Sequence, residues 1–154
     1  MTGHVVFAGS ALDAIARVCD DETQGRETGG VLLGHQHADG HLSVTQAGDP
    51  GPLAERTASR FRRDTAHARM LSSAAYAWDR SVWLGDWHTH PTGPAYPSSV
   101  DMAAYASVLA DPTGGFDTFL SVIVLPAASG PALYAWAVTL PGGRQVGLWV
   151  DRHS

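Results

Sequence analysis

The chain has 154 residues, 44% of them hydrophobic and only 16% charged, a balance that suits a buried core and speaks against a disordered acidic tail. Its net charge of −5 argues against the basic face of a dedicated nucleic-acid binder, and no apolar run approaches the ~20 residues of a membrane-crossing helix. Cys19 is the one cysteine and has no internal disulfide partner, so the expectations are a cytoplasmic protein with no membrane and no nucleic-acid partner.

In chain order, residues 4–8 read as a first strand, and Ser10 as the N-cap of a helix running to about Cys19. Residues 29–34 are a short apolar run bounded by glycine, the pattern of a buried strand. A polar turn at 35–40 leads into a paired strand at 41–47. Gly48-Asp49-Pro50-Gly51-Pro52 is a strong loop signal. Residues 59–78 have helical spacing, with Phe61, Thr65, Ala68, Leu71 and Ala75 on one face.

Residues 81–89 form the next strand, which runs into a Pro/Gly loop at 91–97. Ser98 or Ser99 then caps a helix to about Ala110. Three more strands follow at 117–125, 133–139 and 144–150. Consecutive strands without intervening helices predict an α+β fold: a mixed, largely antiparallel central sheet flanked by helices, in a single domain over 1–154. Neither Gly29-Gly30 nor Gly142-Gly143 makes a phosphate loop, since there is no G-x-G-x-x-G and no G-K-[ST].

The chemistry concentrates in Trp87-His88-Thr89-His90-Pro91, followed by Ser98 and Asp101. Residues two apart on a strand share a face, so His88 and His90 can present both imidazoles to one ion. Asp101 lies in the first turn of the next helix, past a loop long enough to bring that turn back to the strand end. Two imidazoles and a carboxylate make a zinc site with an open fourth position, and nitrogen ligands favour zinc over magnesium. An open zinc brings the pKa of its water to roughly 7, and a nearby carboxylate can take the proton. Of the three glutamates, Glu27 just before the 29–34 strand is the best placed; Glu22 ends a helix and Glu55 sits in a loop.

Other readings compete at several positions. Ser98-x-x-Asp101 is close to a capping box, and Asp101 alone could favour the helix dipole. His35, His37 and His41 with Asp39 have ligand types but read as a solvated hairpin turn. Trp78, Trp83 and Trp87 read as core, and Arg60, Arg62 and Arg63 as a solvated helix face or a patch for an acidic partner.

Glu27, His88-x-His90, Asp101 and Ser98 together resemble the motif of the JAMM/MPN+ zinc isopeptidases. Residues 27–34 and the His88-Thr89-His90-Pro91 turn resemble that family's strand after the catalytic glutamate and its histidine turn, and residues 85–91 with Phe61-Arg62-Arg63-Asp64 look most like the stand-alone prokaryotic JAB branch. The resemblance implies a cytidine-deaminase-like MPN/JAB architecture and one Zn2+ held by His88, His90 and Asp101. It implies Glu27 as general acid/base and Ser98 as hydrogen-bond donor to the oxyanion. The implied substrate is the amide after the Gly-Gly tail of a bacterial ubiquitin-like protein or its conjugates, with E1- and E2-like proteins of the same operon as partners. Release of an amino acid such as cysteine from a small sulfur-carrier protein is the alternative, and a non-catalytic MPN scaffold the third reading.

Overall fold

The computed structural model describes residues 3–152. The elements are β1 (His4–Ala8), α1 (Gly9–Asp21), β2 (Gly29–Gln36), β3 (Leu42–Ala47), β4 (Glu55–Thr57) and β5 (Arg60–Arg62). They continue with α2 (Thr65–Asp79), β6 (Val82–Thr89), α3 (Ser99–Ala110), β7 (Phe119–Leu125), β8 (Ala132–Thr139) and β9 (Gly142–Asp151). This is the expected α+β class. The main sheet runs β1-β3-β2-β6-β7-β8-β9 and closes by pairing β9 with β1, while β4 and β5 form a separate hairpin. Pairing is mixed, with β1–β3, β1–β9 and β6–β7 parallel and the other pairs antiparallel.

Both faces of β2 are covered, which is why its sequence is a continuous apolar run instead of an alternation. Leu32 joins Val5, Phe7, Ile15 and Trp87 in the largest core cluster. Its neighbours Val31 and Leu33 face the other way, onto Ala68 and Ala75 of α2. Helix α3 sits on β7 and β8 through Tyr105 and Leu109 against Phe119 and Val138. Each such large side chain removed from water contributes about 1.5–3 kcal/mol, so the helix that carries Asp101 is anchored along its length.

Several local expectations change. Residues 60–62 are a strand paired with Glu55–Thr57, not the start of a helix. Helix α2 begins at Thr65 because the Asp64 carboxylate caps it, accepting from His67 N at 3.1 Å and also from Leu53 N at 3.0 Å. Ser10 is not a cap; it lies in the first turn of α1, whose N-cap position is Ala8 with no side-chain bond. β2 continues through His35 and Gln36, two residues expected in the turn. The tryptophans separate: Trp87 is fully buried, Trp83 half-buried and Trp78 exposed. Among the described residues, no helix is long and apolar enough to cross a membrane.

Candidate active site

β6 lies between β2 and β7, and its residues 84–89 are all buried. Side chains alternate along a strand, so Trp87 fills the main core while Asp86 and His88 share the opposite face. His90 follows the end of β6 and is held in line by its N–H to Val124 O at 2.9 Å. The Nε2 atoms of His88 and His90 are 3.0 Å apart. Asp101 Oδ2 lies 3.1 Å from the first and 3.3 Å from the second.

A full capping box aims that carboxylate. Ser98 Oγ accepts from Asp101 N at 3.1 Å, and Asp101 Oδ2 accepts from Ser98 N at 2.8 Å. The capping and ligand readings of this pair are therefore compatible: the oxygen that closes the box is the one turned to the histidines.

The three donors fit a metal site. A tetrahedral ion with bonds of about 2.0–2.1 Å requires donor–donor edges of about 3.3 Å, close to the spacings observed. The tautomer also fits. His90 Nδ1 lies 2.7 Å from the Pro94 carbonyl, which can only accept, so Nδ1 carries the proton and neutral His90 turns a lone pair inward at Nε2. Burial opposes ionisation of Asp101, yet the His88 and His90 hydrogen bonds outweigh it and hold its carboxyl well below the ordinary range. Burial likewise opposes charge on His90, but Asp101, the Pro94 carbonyl and Glu27 raise its pKa above the usual value.

Glu27 is 6% exposed and forms a buried group with His88 and His90 whose donor atoms all lie within 4.8 Å of one another. Among the described residues it makes no hydrogen bond or ion pair with either imidazole, so it stands beside the tighter Asp101 triangle without joining it. Burial, the largest influence, raises the Glu27 pKa; His88 and His90 pull it down and Asp101 pushes it up. Its backbone is pinned on both sides. Glu27 N donates to Thr57 O at 2.7 Å. Thr28 N donates to Thr89 Oγ1 at 2.9 Å, and Thr89 N to Thr28 O at 2.8 Å.

Two supports were not legible in the sequence. Glu22 folds the loop before Glu27: its carboxylate accepts from Gln24 N (2.6 Å) and Arg26 Nε (2.9 Å) and lies 3.4 Å from Arg56. Asp86 pairs with Arg63, whose guanidinium carbon is 5.3 Å from the centre of the Trp83 ring. The signal for Asp86 was its place two residues before His88 on one strand face. Arg63 is thus no solvated helix residue. The other histidine cluster divides: His35 meets Asp79 O at 2.9 Å, whereas the His37 and His41 rings stack with centres 3.9 Å apart, His37 meeting Ser43 Oγ at 2.7 Å and His41 meeting Asp39 at 2.5 Å.

Residues 10–139 match the family model described as prokaryotic homologs of the JAB domain. A protein named CD-NTase/cGAS isopeptidase from Escherichia coli is 26% identical over 104 residues, 66% of each chain. One of the same name from Vibrio cholerae is 35% identical over 79 residues, 49% of each chain. A third, from Enterobacter hormaechei, is 27% identical over 147 residues, 82% of this chain and 78% of that one. The matched stretch thus spans about two thirds of the first relative's length and about half of the second's. A solved protein of Desulfitobacterium hafniense superposes with a TM-score of 0.72 at 17% identity, covering 96% of this chain and 93% of the other. One of Salinibacter ruber gives 0.60 at 25% identity, covering 94% and 90%.

Proposed function

This chain belongs to the family of prokaryotic homologs of the JAB domain, and we propose that it is a zinc isopeptidase or peptidase. Its substrate is the amide after the C-terminal Gly-Gly tail of a bacterial ubiquitin-like protein, in a conjugate or a precursor. Residues 1–154 then act as one MPN+/JAB metalloprotease domain of cytidine-deaminase-like architecture. The observation that carries this reading is the triangle of His88, His90 and Asp101 with Glu27 beside it. An N,N,O donor set favours zinc.

His88, His90 and Asp101 would hold the zinc ion, which would supply Lewis acidity to the substrate carbonyl and to water near neutral pH. Glu27 takes a proton from the attacking water and returns it to the leaving amine, a role that its burial-raised pKa suits. Capping uses Ser98 Oγ only as an acceptor, so its O–H remains available to the developing oxyanion, a bond worth about 3 kcal/mol. Asp86 and Arg63 hold the wall next to His88.

The relatives named CD-NTase/cGAS isopeptidase favour a CD-NTase/cGAS protein as one member of the conjugate, with E1- and E2-like proteins of one operon making it. The test is metal analysis alongside cleavage of a fusion carrying a ubiquitin-like protein and its Gly-Gly tail. Wild type is expected to hold one zinc per chain and cleave; Glu27→Ala keeps the zinc and loses cleavage. Zinc-free protein, or full activity in Glu27→Ala, overturns the reading.

A further inference from the structure

A cleft of about 300 Å3 opens beside the histidine–aspartate triangle, with His88 and Asp101 among its lining. One wall is α3, which contributes Val100 and Ala104; the other is the stretch Arg60-Phe61-Arg62-Arg63. Three arginines within four residues therefore contribute to one side of a cleft in a chain of net charge −5. Arg63 is committed to Asp86. Arg60 and Arg62 are exposed, and they are differently placed. Among the described residues Arg60 has no ion-pair or hydrogen-bond partner, and Arg62 has only a 3.9 Å approach to Glu55.

We propose that this cleft receives the substrate segment leading into the scissile bond, and that this segment carries acidic side chains that pair with Arg60 and Arg62. The inference rests on the isopeptidase reading above and adds a charge preference to it. The hairpin that bears the arginines is tied to the reacting centre, since Glu27 N donates to Thr57 O at 2.7 Å. Their position relative to the cleaved bond is therefore fixed by the fold. Guanidinium groups suit carboxylates because their donors match both oxygens. A merely solvated arginine pair has no reason to gather at the mouth of one cleft.

The test uses three labelled peptides that share a Gly-Gly amide end and differ upstream: Asp-Glu, Ser-Gln or Arg-Lys. Binding is followed by fluorescence anisotropy with zinc-loaded full-length Glu27→Gln protein, which does not turn over. The acidic peptide is expected to bind about tenfold tighter than the neutral one, and the basic one more weakly, with the spread shrinking in high salt. Arg60→Glu combined with Arg62→Gln is expected to reverse the order. Arg60 faces Thr57 and Arg62 faces Glu55 across the hairpin, so this pair avoids setting two carboxylates opposite each other. A thermal melt checks that the variant folds.

Equal binding of the three peptides, no binding, or an unchanged order in the folded variant overturns the inference. Cleavage of the same peptides by wild type separates it from the parent reading. Charge-ordered binding without any cleavage supports the acidic preference and sinks the hydrolase. Cleavage of all three with no order in binding does the reverse.

Discussion

Gly29 stands opposite His88 in the antiparallel pairing of β2 with β6. A Cβ at Gly29 would lie 2.2 Å from Trp87 O and 2.9 Å from the Cα and Cβ of His88. The glycine thus lets the strand after Glu27 approach the strand that bears the histidines. Gly29→Ala must push the two apart, at a cost of about 1–3 kcal/mol for overpacking, and move His88 off its triangle. The expected outcome is a lower melting temperature together with sub-stoichiometric zinc. Gly143→Ala is the control, because its Cβ would meet nothing closer than 3.5 Å. Equal zinc content in both variants would contradict this account.

Asp101 serves the capping box and the triangle through the same oxygen. Asp101→Asn keeps an acceptor for Ser98 N and the backbone N–H that Ser98 Oγ caps, but loses the charge that the imidazole pair faces. Zinc affinity is expected to fall by more than the roughly 10–100-fold typical of losing an outer-sphere partner, and the metal-free protein to melt below wild type at neutral pH, because the stabilising contribution of the lowered Asp101 pKa goes with the charge. Competition with a coloured chelator measures the first and a melt the second. Unaltered affinity would remove Asp101 from the ligand set.

The periodic parts of the fold were legible in the sequence, and the candidate residues Glu27, His88, His90 and Asp101 do come together in space. Runs such as Gly29–Leu33 and the β7 stretch Phe119–Leu125 carry their burial in composition alone. The β4–β5 hairpin was hidden because Phe61, Thr65 and Ala68 happen to fall at helical spacing, and only Asp64 marks where the helix starts. Support for the site was hidden for a different reason. Glu22, Arg56, Asp86 and Arg63 act across the chain, and no local pattern announces a long-range ion pair. Sequence also left Ser98 open between cap and donor, whereas the geometry allows both.

Ser98→Gly separates those two roles. Glycine is a tolerable N-cap, costing only a few tenths of a kcal/mol, whereas alanine costs about 1 kcal/mol. Neither has a hydroxyl. If Ser98 donates to the oxyanion, both variants lose about 100- to 1,000-fold in kcat, although only Ser98→Ala melts clearly lower. If the serine is solely a cap, activity follows stability, and the glycine variant stays near wild type.

The pH dependence of stability should change sign with metal. In the metal-free protein, the His90 pKa is raised in the fold above an unfolded value of about 6.5. Its stabilising contribution is complete below that value and is lost as pH rises through the folded pKa. Glu27, also raised, acts in the same direction at lower pH: the fold favours its protonated form, and this gain fades as pH climbs past its unfolded value. Asp101, lowered, contributes above its unfolded value and loses that contribution only in acid, so it is constant across neutral pH. Metal-free protein is therefore expected to melt at lower temperature at pH 8 than at pH 6. Zinc requires deprotonated ligands, so its binding strengthens over that interval and raises the melting temperature of the loaded protein. Melting curves with zinc and with chelator should diverge as pH increases; parallel curves would mean that the imidazole pair does not bind the ion.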